Sequence, residues 1–337
     1  MRKFGLTALA LLFGTSLLAS AAQAERFIVT TNLPPSHWGS VQGGVPFLDC
    51  VKTATNGEVE FDYFDSGKLA SFFESLNAVN TGIAQISYIV VSAQSDKLPL
   101  TGITMLPGLG SSTVEITAAT RKVLESDTEI AREYAKNRIV PLMINIFPAY
   151  QMLSVGAPFD SVEAISGKKV SSGGGPLLMT LNTLGASGLE MATGDLYLAL
   201  QQGTIDGTML STTSVKAYKL EEVIKSISAN GNFGTAAGIW SIDSDVWTTV
   251  PDAHKTAFLD CGLKVEQDLA KWADQFVLDT QSDLKALGIE VFDFTPEALA
   301  KIEVKLEETR QVYVDRSASR GIDAQKAYDE YMEILSE

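Results

Sequence analysis

The residues of this chain that could do chemistry do not form a catalytic set. The two histidines, His37 and His254, stand far apart. With no further imidazole beside either, a His-based metal site is not expected, and His37 reads as a surface side chain. Serines are plentiful, but none stands in the G-x-S-x-G turn that exposes a hydrolase nucleophile. The acidic residues are spread over helical stretches, so no carboxylate pair can be argued for acid–base work. Ser171-Ser172-Gly173-Gly174-Gly175-Pro176 has the composition of a phosphate cradle. It lacks both the Walker lysine and the G-x-G-x-x-G spacing. Such a loop suits a different task, letting backbone N–H groups approach a solute. Aromatic, amide and hydroxyl side chains near strand ends remain, and these hold a small molecule rather than break its bonds. The chain reads as one that catches a solute, with no cofactor and no metal.

Alternating strands and helices must position those residues. Phe27 to Thr30 reads as a first strand, followed by a Pro/Gly-rich loop, Pro34 to Gly39, that carries His37 and Trp38. A helix through Phe47 to Thr53 follows, then a strand in which Val59, Phe61 and Tyr63 alternate with other residues. The pattern predicts a helix over Ser71 to Asn80, carrying Glu74 and closed by Gly82. Ile86 to Val91, with Tyr88 inside it, is a continuous apolar run, as expected of a parallel strand covered on both faces. Ser126-Asp127-Thr128-Glu129 resembles a capping box for a helix ending near Asn137. Val140 to Ile146 is a buried strand that leads through Asn145 to Phe147 and Tyr150. Asp160 to Gly167 reads as a short helix, and Lys169-Val170 as the strand before the glycine-rich loop. Asp195 to Gly207 reads as a helix, a glycine stop and a strand that reaches Asp206-Gly207. Ile205 to Leu210 and Ala236 to Ile242 are further strands, the latter with Trp240. Helix dominates from Pro251, interrupted by a strand at Ile289 to Phe292 and ending in helices over Glu297 to Val314 and Ala324 to Leu335. The fold class is α/β. Ligands in open α/β sheets bind outside the carboxyl ends of strands, which favours Tyr88, Asn145, Phe147 and Tyr150 as pocket residues. Each apolar member of that group also suits a core.

The 337 residues carry a formal charge of −15. Nucleic acid is a poor partner for such a chain, because its affinity comes mainly from Lys and Arg on phosphates. Arg2 and Lys3 followed by the apolar Leu6 to Leu18 and by Ala22-Gln23-Ala24 have the form of a secretory signal cleaved after Ala24. The expected mature chain starts at Glu25 and works in a periplasm. Its length favours two domains. In an oxidising compartment Cys50 and Cys261 could bond, or they could be two buried thiols.

Four blocks together resemble the solute-binding proteins of TRAP (tripartite ATP-independent periplasmic) transporters, in the branch named after the dicarboxylate system. Gly67-Lys68-Leu69 with Leu76, Val79 and Gly82 is similar to the family's Gly-Gln-Leu turn and helix. Met105-Leu106-Pro107 resembles its Leu-Pro-Phe turn. Pro158 through Gly167-Lys168-Lys169-Val170 resembles its Pro-x-Asp-Leu-x-Gly-x-Lys-Ile segment, and Tyr197 to Gly207 its strongest signature. The resemblance implies a two-domain periplasmic binding protein clamp with crossing hinge strands and a long backing helix. It implies a first domain of residues 25–150 plus about 236–278, and a second of 151–235 plus about 279–337. It also implies a small-molecule solute in the cleft and membrane permease subunits as partners. We expect a monomer.

The departures from the family pattern bear on the solute. Most members have an arginine after the Lys-Ile, where it pairs with an organic acid. Here that position is Ser171, and Thr208-Met209-Leu210 follows Asp206-Gly207 in place of the family's usual x-x-Asn. Either another basic residue has moved in, or the solute is an amine, an amino alcohol or a neutral polar compound. The resemblance places Trp38, Glu74 and Met191 at positions that often face the solute; Ser171 and Ser172 open the loop beside it. An aromatic box of Trp38, Tyr88, Phe147, Tyr150 and Trp240 would suit a cation, with Glu74 as its counter-charge. A receptor of an ATP-driven importer uses the same clamp and is the alternative outside TRAP.

Overall fold

The computed structural model describes residues 24–110 and 112–337. The signal and cleavage reading lies, apart from Ala24, outside the described residues. The first part of the chain forms β1 (Glu25–Thr30), α1 (Val45–Ala54), β2 (Val59–Phe64), α2 (Ser75–Asn80), β3 (Ile86–Val90), α3 (Thr113–Glu125), α4 (Glu129–Lys136) and β4 (Ile139–Ile146). A second run holds β5 (Tyr150–Ser154), α5 (Val162–Ile165), β6 (Lys169–Ser172), α6 (Gly175–Thr183), β7 (Ser187–Glu190), α7 (Leu196–Gln201), β8 (Gly207–Ser211) and β9 (Ser226–Ser228). The chain ends with β10 (Ala237–Asp243), α8 (Ser244–Thr249), the 35-residue α9 (Asp252–Ala286), β11 (Glu290–Phe292), α10 (Pro296–Ser319) and α11 (Ala324–Leu335).

These strands make two sheets, in the orders β2-β1-β3-β10-β4 and β11-β9-β5-β8-β6-β7. Parallel neighbours need crossover connections. In the first sheet α1 and α2 supply them, between β1 and β2 and between β2 and β3, and β1 pairs in parallel with both strands. The apolar runs of β3 and β10 are buried along their whole length, as central strands covered on both faces must be. β10 lies antiparallel between β3 and β4 because it arrives from the other sheet rather than through a local crossover. β5 enters the second sheet in the same way and pairs antiparallel with β8 and β9.

The two passages between the sheets run side by side. Phe147 N–H donates to Ala236 at 2.8 Å, and Tyr150 N–H donates to Gly234 at 2.8 Å. A third passage follows α9, which packs along the first sheet and then delivers β11 to the edge of the second. This is the two-sheet architecture of the periplasmic binding protein clamp, with paired crossing segments and a long helix behind them.

α9 is anchored twice. Cys50 on α1 and Cys261 on α9 are disulfide-bonded, with their Cα atoms 5.7 Å apart, which rules out the buried-thiol alternative. The buried Glu266 on α9 accepts from Arg121 Nε of α3 at 2.8 Å and from Ile144 N–H of β4 at 2.9 Å. α11 returns to the first sheet, where Tyr331 is buried in one cluster with Ile116 and Val123. There Glu330 accepts from Glu129 N–H at 2.8 Å. The resemblance groups residues 279–337 with the second domain; α11 packs its apolar stripe mainly against α3 and also meets α10 and α4.

Helix starts differ in detail from the pattern. Thr128, not Ser126, caps α4, since its extended backbone lets Oγ1 accept from Ala131 N–H at 3.2 Å. The predicted helix over Ser71 to Asn80 is a short turn, Phe72–Glu74, followed by α2.

Candidate ligand-binding site

The carboxyl ends of β1, β3, β6 and β8 converge where the two sheets face each other. A cavity of about 30 Å³ lies there, lined from both sides. That space is close to what one water molecule needs, so the halves must part to admit a solute.

β1 ends at Thr30, and Asn32 and Leu33 after it reach the cleft. The Asn32 side-chain carbonyl is buried and has no hydrogen-bond partner. The two prolines that follow shape a tight turn, in which His37 N–H donates to Pro34 O at 3.0 Å. This turn folds His37 inward. Its ring is fully buried, in contrast to the surface position that the polar loop suggests. Gly39 N–H donates to His37 Nδ1 at 2.9 Å, so the neutral ring carries its proton on Nε2. That Nε2 faces Ser214 Oγ, 3.3 Å away on the segment after β8. The contact therefore joins the two halves across the cleft. Burial pushes the imidazole down to about 3, which keeps it uncharged at neutral pH.

Tyr88 reaches the cleft because of Gly238 on the neighbouring strand. A Cβ at Gly238 would lie 1.9 Å from the Tyr88 ring. The bare backbone lets the ring lie across β10, with its hydroxyl 3.4 Å from Asn145 Oδ1 on β4. Phe147 and Tyr150, on the crossing segment, close the hinge side together with Tyr218. Burial raises the phenols of Tyr88, Tyr150 and Tyr218 above their ordinary range, so all three stay protonated donors.

Ser172, Gly173 and Met191 line the opposite wall, with Thr208, Met209 and Leu210 of β8. The glycine-rich loop meets the other half of the protein here. A Cβ at Gly173 would stand 2.9 Å from Ser92 Oγ, and one at Gly175, where φ is +57°, 3.2 Å from Ser92 O. The loop is thus a closure contact against the end of β3, as well as a wall of the cleft.

Of the residues singled out in the sequence, Tyr88, Phe147, Tyr150, Ser172 and Met191 line the cavity. Trp38, Asn145, Ser171 and Trp240 are buried next to it but do not line it. Trp38 turns away, with its ring 5.9 Å from that of Trp272 on α9 and edge-on to Phe147. Trp240 packs behind Tyr88 and against Gly44, where a Cβ would come within 2.4 Å of its ring. Ser171 Oγ donates to Thr208 Oγ1 at 3.0 Å and so positions a residue that does line the cleft. Glu74 is exposed and outside the cleft, because the turn that precedes α2 points Phe72 inward instead. The five-ring cation box and its counter-charge are therefore not assembled.

Sequence reasoning did not single out Asn32, Ser92, Ser214 or Tyr218, named Thr208 only as part of a departure from the family pattern, and placed His37 on the surface. Asn32, Ser92 and Ser214 each follow a strand by one to three residues, so the strand-end rule applied to every strand would have found them. Tyr218 carries no such signal. Among the described residues, none that lines the cleft is Asp, Glu, Lys or Arg. Among the described residues no group of three or more His, Cys, Asp and Glu is placed to hold a metal ion.

The profile of the bacterial extracellular solute-binding proteins, family 7 (DctP), matches residues 34–316. The chain belongs to that family. A curated solute-binding protein from Albidiferax ferrireducens is 23% identical over 257 residues, 74% of either chain. Among solved structures, a marine-metagenome TRAP solute-binding protein specific for aromatic acids, bound to 3-hydroxybenzoate, superposes with a TM-score of 0.86. It is 18% identical and covers 93% of this chain and 98% of its own. A Bordetella pertussis extracytoplasmic receptor bound to pyroglutamic acid gives a TM-score of 0.81 at 21% identity, over 92% of this chain and all of its own. At such identities the structures establish a shared fold. The family is one of solute-binding receptors, and no described helix is long and apolar enough to cross a membrane.

Proposed function

We propose that this DctP-family protein is the extracytoplasmic receptor of a TRAP transporter for a small neutral solute. In this reading the solute is captured between the two sheets and handed to membrane permease subunits. The observation that carries the solute class is that, among the described residues, no charged side chain lines the cleft, together with the polarity of what is there. A lone carboxylate or ammonium moved into such a cleft would meet a desolvation penalty of several kcal/mol, with no opposite charge to offset it. A neutral solute meets no such penalty. Asn32 offers it an acceptor, His37 Nε2–H a donor, and the serine, threonine and tyrosine hydroxyls offer both. Phe72, Phe147, Met191 and Leu196 cover its apolar part.

The working domains follow the two sheets. The first is residues 25–146 and 237–286 with α11, and the second is 150–235 with β11 and α10. Tyr88, Phe147, Tyr150, Ser172 and Met191 would touch the solute. Ser171, Asn145, Trp38 and Trp240 would support those that do. One observation favours a second reading: the solved relatives named above hold acids, so an acid bound with His37 protonated as its partner is the competitor.

A thermal-shift screen of the mature protein tests the proposal, using matched neutral amides and polyols, amines and carboxylates. A ligand that binds only the native state raises Tm by mass action. Stabilisation by neutral compounds alone supports it. Stabilisation by carboxylates or amines alone refutes the solute class.

A further inference from the structure

We infer that His37 is the residue that sets the cleft's charge selectivity, as a tautomer-locked neutral donor shared between Ser214 and an acceptor oxygen of the solute. The inference rests on the receptor reading and adds to it a named group and a required chemistry on the solute, a carbonyl, carbamoyl or hydroxyl oxygen.

Three observations carry it. Gly39 N–H already donates to Nδ1 at 2.9 Å, so that nitrogen must accept, and an imidazolium would set two donors against each other. Nε2–H is then the one ring proton, and it points across the cleft. Its partner Ser214 Oγ, at 3.3 Å, is a long contact that leaves the donor room for a better acceptor. The elements packed on the ring bring no charge. Trp38 lies 5.5 Å away, Phe147 5.7 Å and Tyr218 5.7 Å between centroids, and the other ionisable groups of the cleft lining are the phenols of Tyr88 and Tyr150.

A carboxylate accepting from Nε2–H would be a buried charge without a partner, because Gly39 N–H occupies Nδ1 and keeps the ring from supplying the opposite charge. An ammonium solute would face an N–H. A neutral acceptor takes the proton that is already there. His37 also belongs to the first half and Ser214 to the second, so the same proton reports closure.

The test is nitrogen-15 NMR of the imidazole in the His254→Gln protein, where His37 is the sole histidine. The expected spectrum shows a pyrrole-type Nε2 and a pyridine-type Nδ1 at pH 7. Benzamide, added to millimolar concentration as a neutral aromatic acceptor, is expected to shift Nε2 and leave Nδ1 in place. Benzoate and benzylamine at the same concentration are expected to do neither. His37→Gln, which keeps a neutral donor, should retain benzamide binding, and His37→Leu should weaken it roughly tenfold or more, the usual effect of losing one buried hydrogen bond.

An Nδ1–H tautomer, an imidazolium at pH 7, or a benzamide titration that leaves Nε2 unmoved overturns the inference. The spectrum is read on the folded protein without any variant of His37 itself, so a misfolded His37→Leu does not blur the result. If Nε2 stays still while the thermal-shift screen finds a neutral solute, His37 is excluded and the receptor reading survives. If benzoate protonates His37, the inference and the neutral solute class both fall, and the receptor reading stands with an acid as its solute.

Discussion

Reduction of the Cys50–Cys261 bond should destabilise the protein strongly while leaving the cleft intact. The two cysteines are separated by 211 residues, so the bond closes a loop that covers most of the chain, including the whole of the second sheet except β11. In the chain-entropy description, the stabilisation grows with the logarithm of loop length and comes to about 5 kcal/mol for a loop of this size. Denatured-state structure and native relaxation reduce that figure, so roughly 3–5 kcal/mol is the working range. A loss of this order is a large part of the 5–15 kcal/mol that usually holds a folded protein together. The measurement is urea unfolding of the oxidised protein and of a Cys50→Ala/Cys261→Ala double variant. The transition midpoint should fall, and if the unfolded loop matters the slope should rise, because the unlinked chain exposes more surface. The bond joins α1 to α9 and does not touch the cleft lining. Solute affinity should therefore be unchanged wherever the variant remains folded. A stability change under 1 kcal/mol would show that the denatured chain is not constrained by the loop, and would refute the entropic reasoning.

Four further outcomes follow from particular contacts. Desolvation raises Glu133 to about 7, although Leu100 N–H and Thr101 N–H donate to it at 2.7 and 2.8 Å. Its folded value lies above its unfolded one, so its contribution is largest below pH 4.5 and is lost as pH rises to 7, by about 3 kcal/mol. Urea midpoints at pH 5 and 7 for the parent and Glu133→Gln should differ in slope with pH in that sense. Gly238→Ala should force the Tyr88 ring aside, costing roughly 1–3 kcal/mol by overpacking and weakening solute binding; unchanged binding would show that Tyr88 does not need its present tilt. Glu74→Ala should leave binding untouched, since that side chain is exposed outside the cleft, and titration calorimetry against any hit checks it. His37 is depressed to about 3 in the closed cleft, against 6.5 for a free imidazole. Closure is therefore fully favoured above pH 6.5 and weakens as pH falls, by up to tenfold in affinity per unit where opening exposes the ring.

How legible the molecule is from its sequence depends on where each residue's environment comes from. β1, β3, β4 and β10 are readable because their own residues form apolar runs that must be covered. β7 and β9 are not, because β7 is short and mostly exposed and β9 is three residues long, held as a strand by pairing with β5 and β11 from far along the chain. The missing arginine at Ser171 is plain in one position. What stands in its place is not, since the neutrality of the cleft is a property of segments from both halves. His37 shows the same limit: Trp38 beside it stacks on its ring, but Phe147 and Tyr218, which complete its burial, lie more than a hundred residues on. Trp38 and Trp240 have the residue type that a pocket or a core would use equally well, and only Trp272, Gly44 and Tyr88 decide for the core. The pattern puts Glu74 on a helix that starts at Ser71, but α2 starts four residues later at Ser75, and Glu74 ends the short turn before it, exposed to solvent.

The central claim is that the solute carries no charge, and the most direct measurement is the identity of the molecule the protein retains. Protein exported from cells and purified without added ligand would be examined by native mass spectrometry, and the released compound identified. The account predicts a small compound with no group ionised at pH 7 and at least one acceptor oxygen. A retained carboxylate or amine would contradict it, and would mean that the cleft supplies a charge partner that the closed geometry does not contain.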